Sequence, residues 1–133
     1  MGVKPNKIYV LDAGNKYDLG SITIEPIQLY HDVENQGWKI IFKKDNYKVF
    51  YAVDTATLDG ITAKNYDLYL VEGNYDKEEI IQRKEQKLLN GKYQVEDRVM
   101  NSHLSKEQWT DFILENASDT SECVQLHQHV ERS

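Results

Sequence analysis

The sequence predicts a mixed α/β domain, and three observations favour this class. Short apolar strand patterns fill the first half of the chain, two amphipathic helix patterns follow, and one more strand pattern comes near the end. Strands followed by a β-α-α-β order are typical of layered α/β folds and exclude a helical bundle or a β-sandwich. The 133 residues correspond by length to one domain, residues 1–133.

Five strands are predicted before the helices. The second contains Pro26, which indicates an edge position or a bulge, because proline cannot donate to a neighbouring strand. The third and fourth are separated by three residues only, a spacing typical of a hairpin. The five predicted ranges are 7–12, 21–30, 37–43, 47–53 and 67–72.

Two helices and a final strand are predicted after them. Residues 76–90 place apolar side chains on one side of a helix and charged ones on the other. Residues 105–116 begin with Ser105 as N-cap and carry Gln108 three positions later, which forms a capping box. Residues 123–127 form the last strand.

Charge and cysteine content exclude several classes of protein. The 16 Lys and Arg against 22 Asp and Glu give a net charge of −6, which disfavours non-specific nucleic-acid or membrane-surface binding. The negative charge does not exclude a nuclease whose contacts to phosphate are made by bound metal. No apolar run approaches the roughly 18 residues of a membrane span, and no signal peptide is found. The single Cys123 excludes an intrachain disulfide and a thiolate zinc site, so we expect a cytoplasmic, bacterial or viral protein.

Polar side chains that bind metals follow several of these elements. His31, Asp54 and His127 each come at or after the end of a predicted strand, and His103 lies just before a helix N-cap. Strand ends in α/β layers bring side chains from several strands to one crevice. Neutral imidazoles and a carboxylate together suit zinc, manganese or iron.

Each of these residues also has a purely structural interpretation. A histidine at a strand end is commonly a surface or capping group whose hydrogen bonds are satisfied locally. Asp54 suits the N-cap of a short turn over 55–58. His127 and His129 suit a solvated terminus equally well. Spacing alone therefore leaves the metal site and the structural alternative open.

Taken in order, five segments resemble the C-terminal half of the metallo-β-lactamase superfamily. The similarity is greatest to the branch of ribonuclease Z and related phosphodiesterases and exonucleases, which includes phage-encoded and other viral members. It covers nearly the whole chain, and it implies a mixed β-sheet with helices on one face, half of an αββα sandwich. The segments are 30–38 (YHDVENQGW), 53–55 (VDT), 70–75 (LVEGNY), 102–105 (SHLS) and 126–127 (LH).

The resemblance implies a role for each candidate residue. His31 would bind one metal, His127 the second, and Asp54 would bridge the two. Glu72 would support the site from the end of its strand, and His103 would pass a proton to the leaving group. Two divalent metals, zinc or manganese, would generate hydroxide near neutral pH and hold both oxygens of a phosphoryl displacement.

Two features depart from the family pattern. His129 stands where a small hydroxyl residue is usual. It would either contact a metal-binding side chain without binding the metal itself, or have no role. The motif His-x-His-x-Asp-His, which supplies ligands to both metals, does not occur in these 133 residues. Because a zinc ion normally needs about four ligands, we expect weak or no metal binding by this chain alone. A complete fold of this kind has roughly 200 residues or more, so the chain corresponds to half of it.

Three hypotheses about function follow. The chain is part of a metal-dependent hydrolase, a phosphodiesterase or nuclease completed by the missing N-terminal half. Alternatively, it is a catalytically inactive half-domain that binds a partner or forms a homo-oligomer through its uncovered face. The third hypothesis is a small α/β domain with unrelated histidines. The substrate stays open between RNA, DNA and cyclic nucleotides, and no membrane partner is expected.

Overall fold

One six-stranded sheet with helices on one face forms the fold. The computed structural model describes residues 2–91 and 95–128. The helices stand between the last two strands in sequence, and none of those described has the length and hydropathy of a membrane span. In chain order the elements are β1 (Tyr17–Asp18), β2 (Ile22–Gln28), β3 (Gln36–Phe42), β4 (Tyr47–Ala52), β5 (Leu68–Glu72), α1 (Lys77–Leu89), α2 (Glu96–Ser102), α3 (Lys106–Asn116) and β6 (Glu122–Leu126).

The strands lie side by side in sequence order, from β1 to β6. Strands β1 to β4 pair antiparallel, whereas β4, β5 and β6 run parallel to one another. The parallel pair β5 and β6 needs a long connection, and the three helices provide it. As a result, the carboxyl ends of β4, β5 and β6 meet at one edge of the sheet.

The core lies between the sheet and the helices. Phe50, Tyr69 and Val71 are fully buried on the covered face, because residues paired across neighbouring strands point the same way. The Phe112 ring of α3 stacks on Phe50 with 5.1 Å between ring centroids. The Tyr69 hydroxyl, buried in this core, donates to the Ala63 carbonyl at 2.6 Å. The expected mixed sheet with helices on one face is therefore confirmed.

The opposite face of the sheet is also apolar. Side chains alternate between the two faces along a strand, so residues next in sequence to a core residue lie on this opposite face. Phe42 and Val124 are 44% and 40% exposed on this side, whereas Pro26 and Val49 on the same side are buried. Two rows of paired residues cross it, namely Pro26–Trp38–Tyr51–Leu70–Val124 and Ile24–Ile40–Val49–Leu68, and we call them the open face.

The local signals in the sequence predict most of the elements well. The hairpin of β3 and β4, the last two strands and both predicted helices lie within two residues of their predicted bounds. The Asp76 carboxylate accepts from the Glu79 N–H, and Ser105 and Gln108 form the complete capping box. Next to Pro26, β2 has β3 on one side, while the short β1 pairs only with Thr23 and Ile24, as an edge position requires.

The strand predicted over 7–12 is wrong. A short 3₁₀ turn occupies Pro5–Lys7, and the apolar residues after it pair with no described strand. Ile8, Tyr9 and Val10 are 60%, 69% and 84% exposed. Their β propensity is high, but a strand needs a partner, and propensity does not supply one. The two-residue β1 and the helix α2 were not predicted, since α2 has no side-chain N-cap to mark its start.

An ion pair between α1 and α2 makes stability depend on pH. The Lys87 ammonium lies 2.6 Å from Glu96 Oε1, and the hydrogen bond between them holds the Glu96 pKa below its ordinary value. The folded chain therefore binds fewer protons than the unfolded chain, and this contribution to stability is lost as the pH falls through the Glu96 pKa. We expect Glu96→Gln to be destabilising at pH 7, as measured by urea unfolding, and less so at pH 3.

The control for this prediction is Glu78→Gln on α1, because Glu78 is exposed. Its effect on the free energy of unfolding is expected to stay within about 0.5 kcal/mol at both pH values. An equal effect of Glu96→Gln at pH 7 and pH 3 would mean that the ion pair does not stabilise the fold.

Candidate metal centre

Four potential metal ligands converge where the parallel strands end. Asp54 follows β4, Glu72 is the last residue of β5, His127 follows β6, and His103 is the C-cap of α2. Each offers one oxygen or nitrogen atom, and these four atoms lie within 4.8 Å of one another. The sheet thus brings together residues as far apart in sequence as Asp54 and His127, which are separated by 73 positions.

Glu72 is the centre of this cluster and is fully buried. Its Oε2 accepts backbone N–H groups from Asp54 at 3.0 Å, from Thr55 at 3.3 Å and from Leu104 at 3.3 Å. Its Oε1 lies 2.6 Å from His103 Nδ1 and 3.0 Å from His127 Nδ1. One oxygen therefore fixes two loops, and the other orients two imidazoles.

The two imidazoles also face Asp54. Asp54 Oδ1 lies 3.1 Å from His127 Nδ1 and 3.4 Å from His103 Nδ1. The rings meet edge to face with 5.1 Å between centroids. Because His103 Nδ1 lies 2.6 Å from Glu72 Oε1, we assign a proton to this nitrogen. The Nε2 of the same ring is then left for a ligand or a substrate.

Two of the four residues have a strained backbone. Asp54 and His127 adopt φ values of 60° and 55°, in the left-handed region that non-glycine residues rarely occupy. Side-chain amides hold both: Asn35 Nδ2 donates to the Asp54 carbonyl at 2.8 Å, and Asn74 Nδ2 donates to the His127 carbonyl at 2.7 Å. Such strain persists where the surrounding structure enforces it, and it is concentrated at functional sites.

His31 lies beside the cluster but outside the four-residue group. Its ring centroid is 6.2 Å from that of His103, and its Nδ1 lies 2.6 Å from Asp32 Oδ1. A cavity of about 410 Å³ is lined by His31, Asp54 and His103 together. His129 lies outside the described residues.

The chemistry of the donor set fits a divalent transition metal. Two carboxylates and two imidazoles are the oxygen and nitrogen ligands that zinc and manganese take in proteins. The side chains of Asp54 and His127 are 44% and 46% exposed, so an ion can reach them from solvent. Glu72 is enclosed and already accepts three N–H groups through one oxygen, which suits a carboxylate that supports ligands.

Sequence comparison finds no match to a family model and none among curated proteins. Comparison of the fold gives clear matches to solved structures. The metallo-β-lactamase fold protein YhfI from Bacillus subtilis aligns with a TM-score of 0.65 and 16% identity over 94% of this chain. The fold is that of the metallo-β-lactamases. The short form of human tRNase Z (ELAC1) aligns with a TM-score of 0.57 and 16% identity over 86% of this chain.

The metallo-β-lactamase fold expected from the five sequence segments is thereby confirmed. The chain spans 44% of YhfI and 39% of human tRNase Z, so it corresponds to less than half of each solved chain. Asn35 and Asn74, which hold the strained ligand residues, were not recognised in the sequence. Single asparagines carry no spacing signal, and their role depends on which carbonyl groups the fold places beside them.

Proposed function

We propose that this chain provides part of the metal site of a metal-dependent hydrolase that cleaves phosphodiesters. The observation that carries the proposal is the cluster of Asp54, Glu72, His103 and His127 at one edge of the sheet. The backbone strain at two of these residues supports it, because hydrogen bonds from two asparagines maintain that strain. A fold similar to human tRNase Z supports a nuclease or phosphodiesterase within this class.

In this proposal Asp54, His127 and His31 bind metal. His31 and His127 would each hold one ion and Asp54 would be shared between them, with zinc or manganese as the metal. A divalent metal, when bound, supplies hydroxide near neutral pH and stabilises charge on the phosphoryl group. Because this chain offers too few ligands for two ions, its own affinity for metal is expected to be weak.

His103 is the proposed proton donor, and Glu72 positions it. The carboxylate of Glu72 accepts from His103 Nδ1 at 2.6 Å and thereby fixes the orientation of the ring. The opposite nitrogen, Nε2, then delivers a proton to the leaving oxygen as the phosphorus–oxygen bond breaks. Glu72 is buried and its other oxygen is held by three N–H groups, so the ring is oriented by a fixed group.

The partner in this proposal is a second β-sheet unit that covers the open face and supplies the remaining ligands. A companion half carrying His-x-His-x-Asp-His is the first candidate, since the two solved structures are more than twice as long as the aligned region. A second copy of the chain is the other candidate. RNA, DNA and cyclic nucleotides remain the candidate substrates.

The activity of the chain alone tests whether the site is incomplete. We expect no turnover of bis-p-nitrophenyl phosphate or short DNA above background when zinc or manganese is added, because ligands for the metals are missing. Addition of a companion half with the missing motif is expected to produce turnover. Robust turnover by the chain alone would contradict this part of the proposal.

The apolar open face favours a second candidate function, an inactive module that associates with itself. Residues Trp38, Tyr51 and Leu70 form its central row, and Val124 at the end of this row is 40% exposed. Trp38, Tyr51 and Leu70 are partly exposed, and a row of apolar side chains that water reaches favours an interaction surface. Sedimentation distinguishes the two: a metal-independent dimer without activity in any mixture favours the module, and a clean monomer excludes it.

A further inference from the structure

The cavity beside the metal cluster has a second wall that the proposed chemistry does not use. This wall comes from α2 and its N-cap, and it faces His31 and Asp54 across about 410 Å³. Val95 and Val99 lie one helical turn apart and make part of it apolar. Ligand pockets combine such apolar walls with a few polar groups that fix orientation.

Among the described residues that line this cavity, Arg98 is the one arginine or lysine. It lies one turn before Ser102, which directly precedes His103 and also lines the cavity. Within residues 2–91 and 95–128, no ion pair is found for Arg98. The α2 carboxylates beside it are occupied by α1, because Lys87 lies 2.6 Å from Glu96 and Lys84 lies 2.6 Å from Asp97.

Two further carboxylates line the cavity, and both lie against imidazoles: Asp32 Oδ1 is 2.6 Å from His31 Nδ1, and Asp54 faces His103 and His127. A guanidinium donates two parallel hydrogen bonds to a phosphate, a geometry that a lysine ammonium does not reproduce. Asp54 is the carboxylate of the metal cluster that lines the same cavity, and bound metal would neutralise it. Arg98 suits an anionic group, and the apolar wall of Val95 and Val99 suits a ring attached to that group.

We infer that Arg98 binds a phosphate of a nucleotide that lies in this cavity, next to the scissile bond, with its nucleoside against Val95 and Val99. The inference rests on the proposed function, because the phosphodiester substrate comes from there. It adds a residue that recognises the substrate and limits the substrate class to nucleotides. Simple phosphate esters without a nucleoside would gain less from the valine wall.

The test uses the full chain, zinc and thymidine 5′-monophosphate, a monoester that a phosphodiesterase does not consume. Binding is followed through the backbone amide NMR signals of residues 95–103. We expect saturable shifts confined to the cavity, and about tenfold weaker binding by Arg98→Gln. The affinity of Arg98→Lys is expected to lie between those of wild type and Arg98→Gln, because lysine keeps the charge but cannot donate two parallel hydrogen bonds.

The control variant is Lys44→Gln, which removes one positive charge at the turn between β3 and β4. This turn precedes β4, whereas the site follows β4, so the two lie at opposite ends of that strand. Its affinity for the nucleotide is expected to be unchanged. Thymidine without phosphate is expected to bind at least about tenfold more weakly than the nucleotide.

Zinc binding is measured on the same samples by competition with a chromogenic chelator, and the titration is repeated in EDTA. Zinc binding that Asp54→Gly leaves unchanged counts against the proposed function, while the ratio between wild type and Arg98→Gln in EDTA still decides the role of Arg98. Equal affinity of wild type and Arg98→Gln, equal affinity for thymidine and its phosphate, or no saturable shift would each overturn the inference.

Discussion

Glu72→Ala is expected to lower the free energy of unfolding by about 3–5 kcal/mol, the range for a buried charged group that loses its partners. The substitution leaves the N–H groups of Asp54, Thr55 and Leu104 without their acceptor. It also removes the carboxylate that lies between His103 and His127. Urea unfolding at pH 7 without metal measures the loss.

Two variants separate this effect from simple removal of a glutamate. Glu122→Ala changes an exposed residue of β6 and is expected to cost no more than about 0.5 kcal/mol. Glu72→Gln keeps an acceptor oxygen for the three N–H groups, so its cost should lie between the two. If Glu72→Ala costs as little as Glu122→Ala, Glu72 does not hold the site together.

Asp54→Gly is expected to weaken zinc binding by about 100-fold while the free energy of unfolding stays equal or rises by about 1 kcal/mol. The loss follows because the carboxylate that faces both imidazoles is removed. The gain follows because φ is 60° at this position, where glycine has no steric penalty. The Asp54 N–H bond to Glu72 is retained. Chelator competition and urea unfolding measure the two effects.

Asn46→Gly is the matched control, because Asn46 has a φ of 52° in the turn between β3 and β4. It should also preserve or raise stability, but it should leave zinc binding unchanged. If Asp54→Gly preserves or raises stability but lowers zinc affinity, and Asn46→Gly does not lower zinc affinity, the strain at Asp54 is maintained for function. Unchanged zinc affinity in Asp54→Gly would contradict the assignment of Asp54 as a ligand.

The elements that the sequence predicts correctly are those whose signals are local. The capping box of Ser105 and Gln108, the Asp76 N-cap and the three-residue turn between β3 and β4 depend on neighbours in sequence only. The segment 7–12 has equally good local propensity, yet it forms no strand among the described residues, because pairing is a tertiary property. Strand β1 consists of only two residues and carries no pattern of its own.

The site could be predicted in part for a similar reason. Asp54, Glu72 and His127 lie at or after the ends of strands, and parallel strands bring such residues to one edge. The central position of Glu72 was not evident from spacing, because its partners Thr55 and Leu104 are 17 and 32 positions away. His31 follows β2, which runs in the same direction as β4 but is separated from it by β3, so His31 lies beside the four-residue group rather than within it.

A zinc-soaked crystal of this chain, examined by anomalous diffraction at the zinc edge, tests the central claim most directly. A high zinc concentration compensates for the weak affinity expected of a partial ligand set. The account predicts an anomalous peak at about 2.0–2.2 Å from a carboxylate oxygen of Asp54 and an imidazole nitrogen of His127. Zinc bound only elsewhere on the surface, with none at Asp54 and His127, would contradict it.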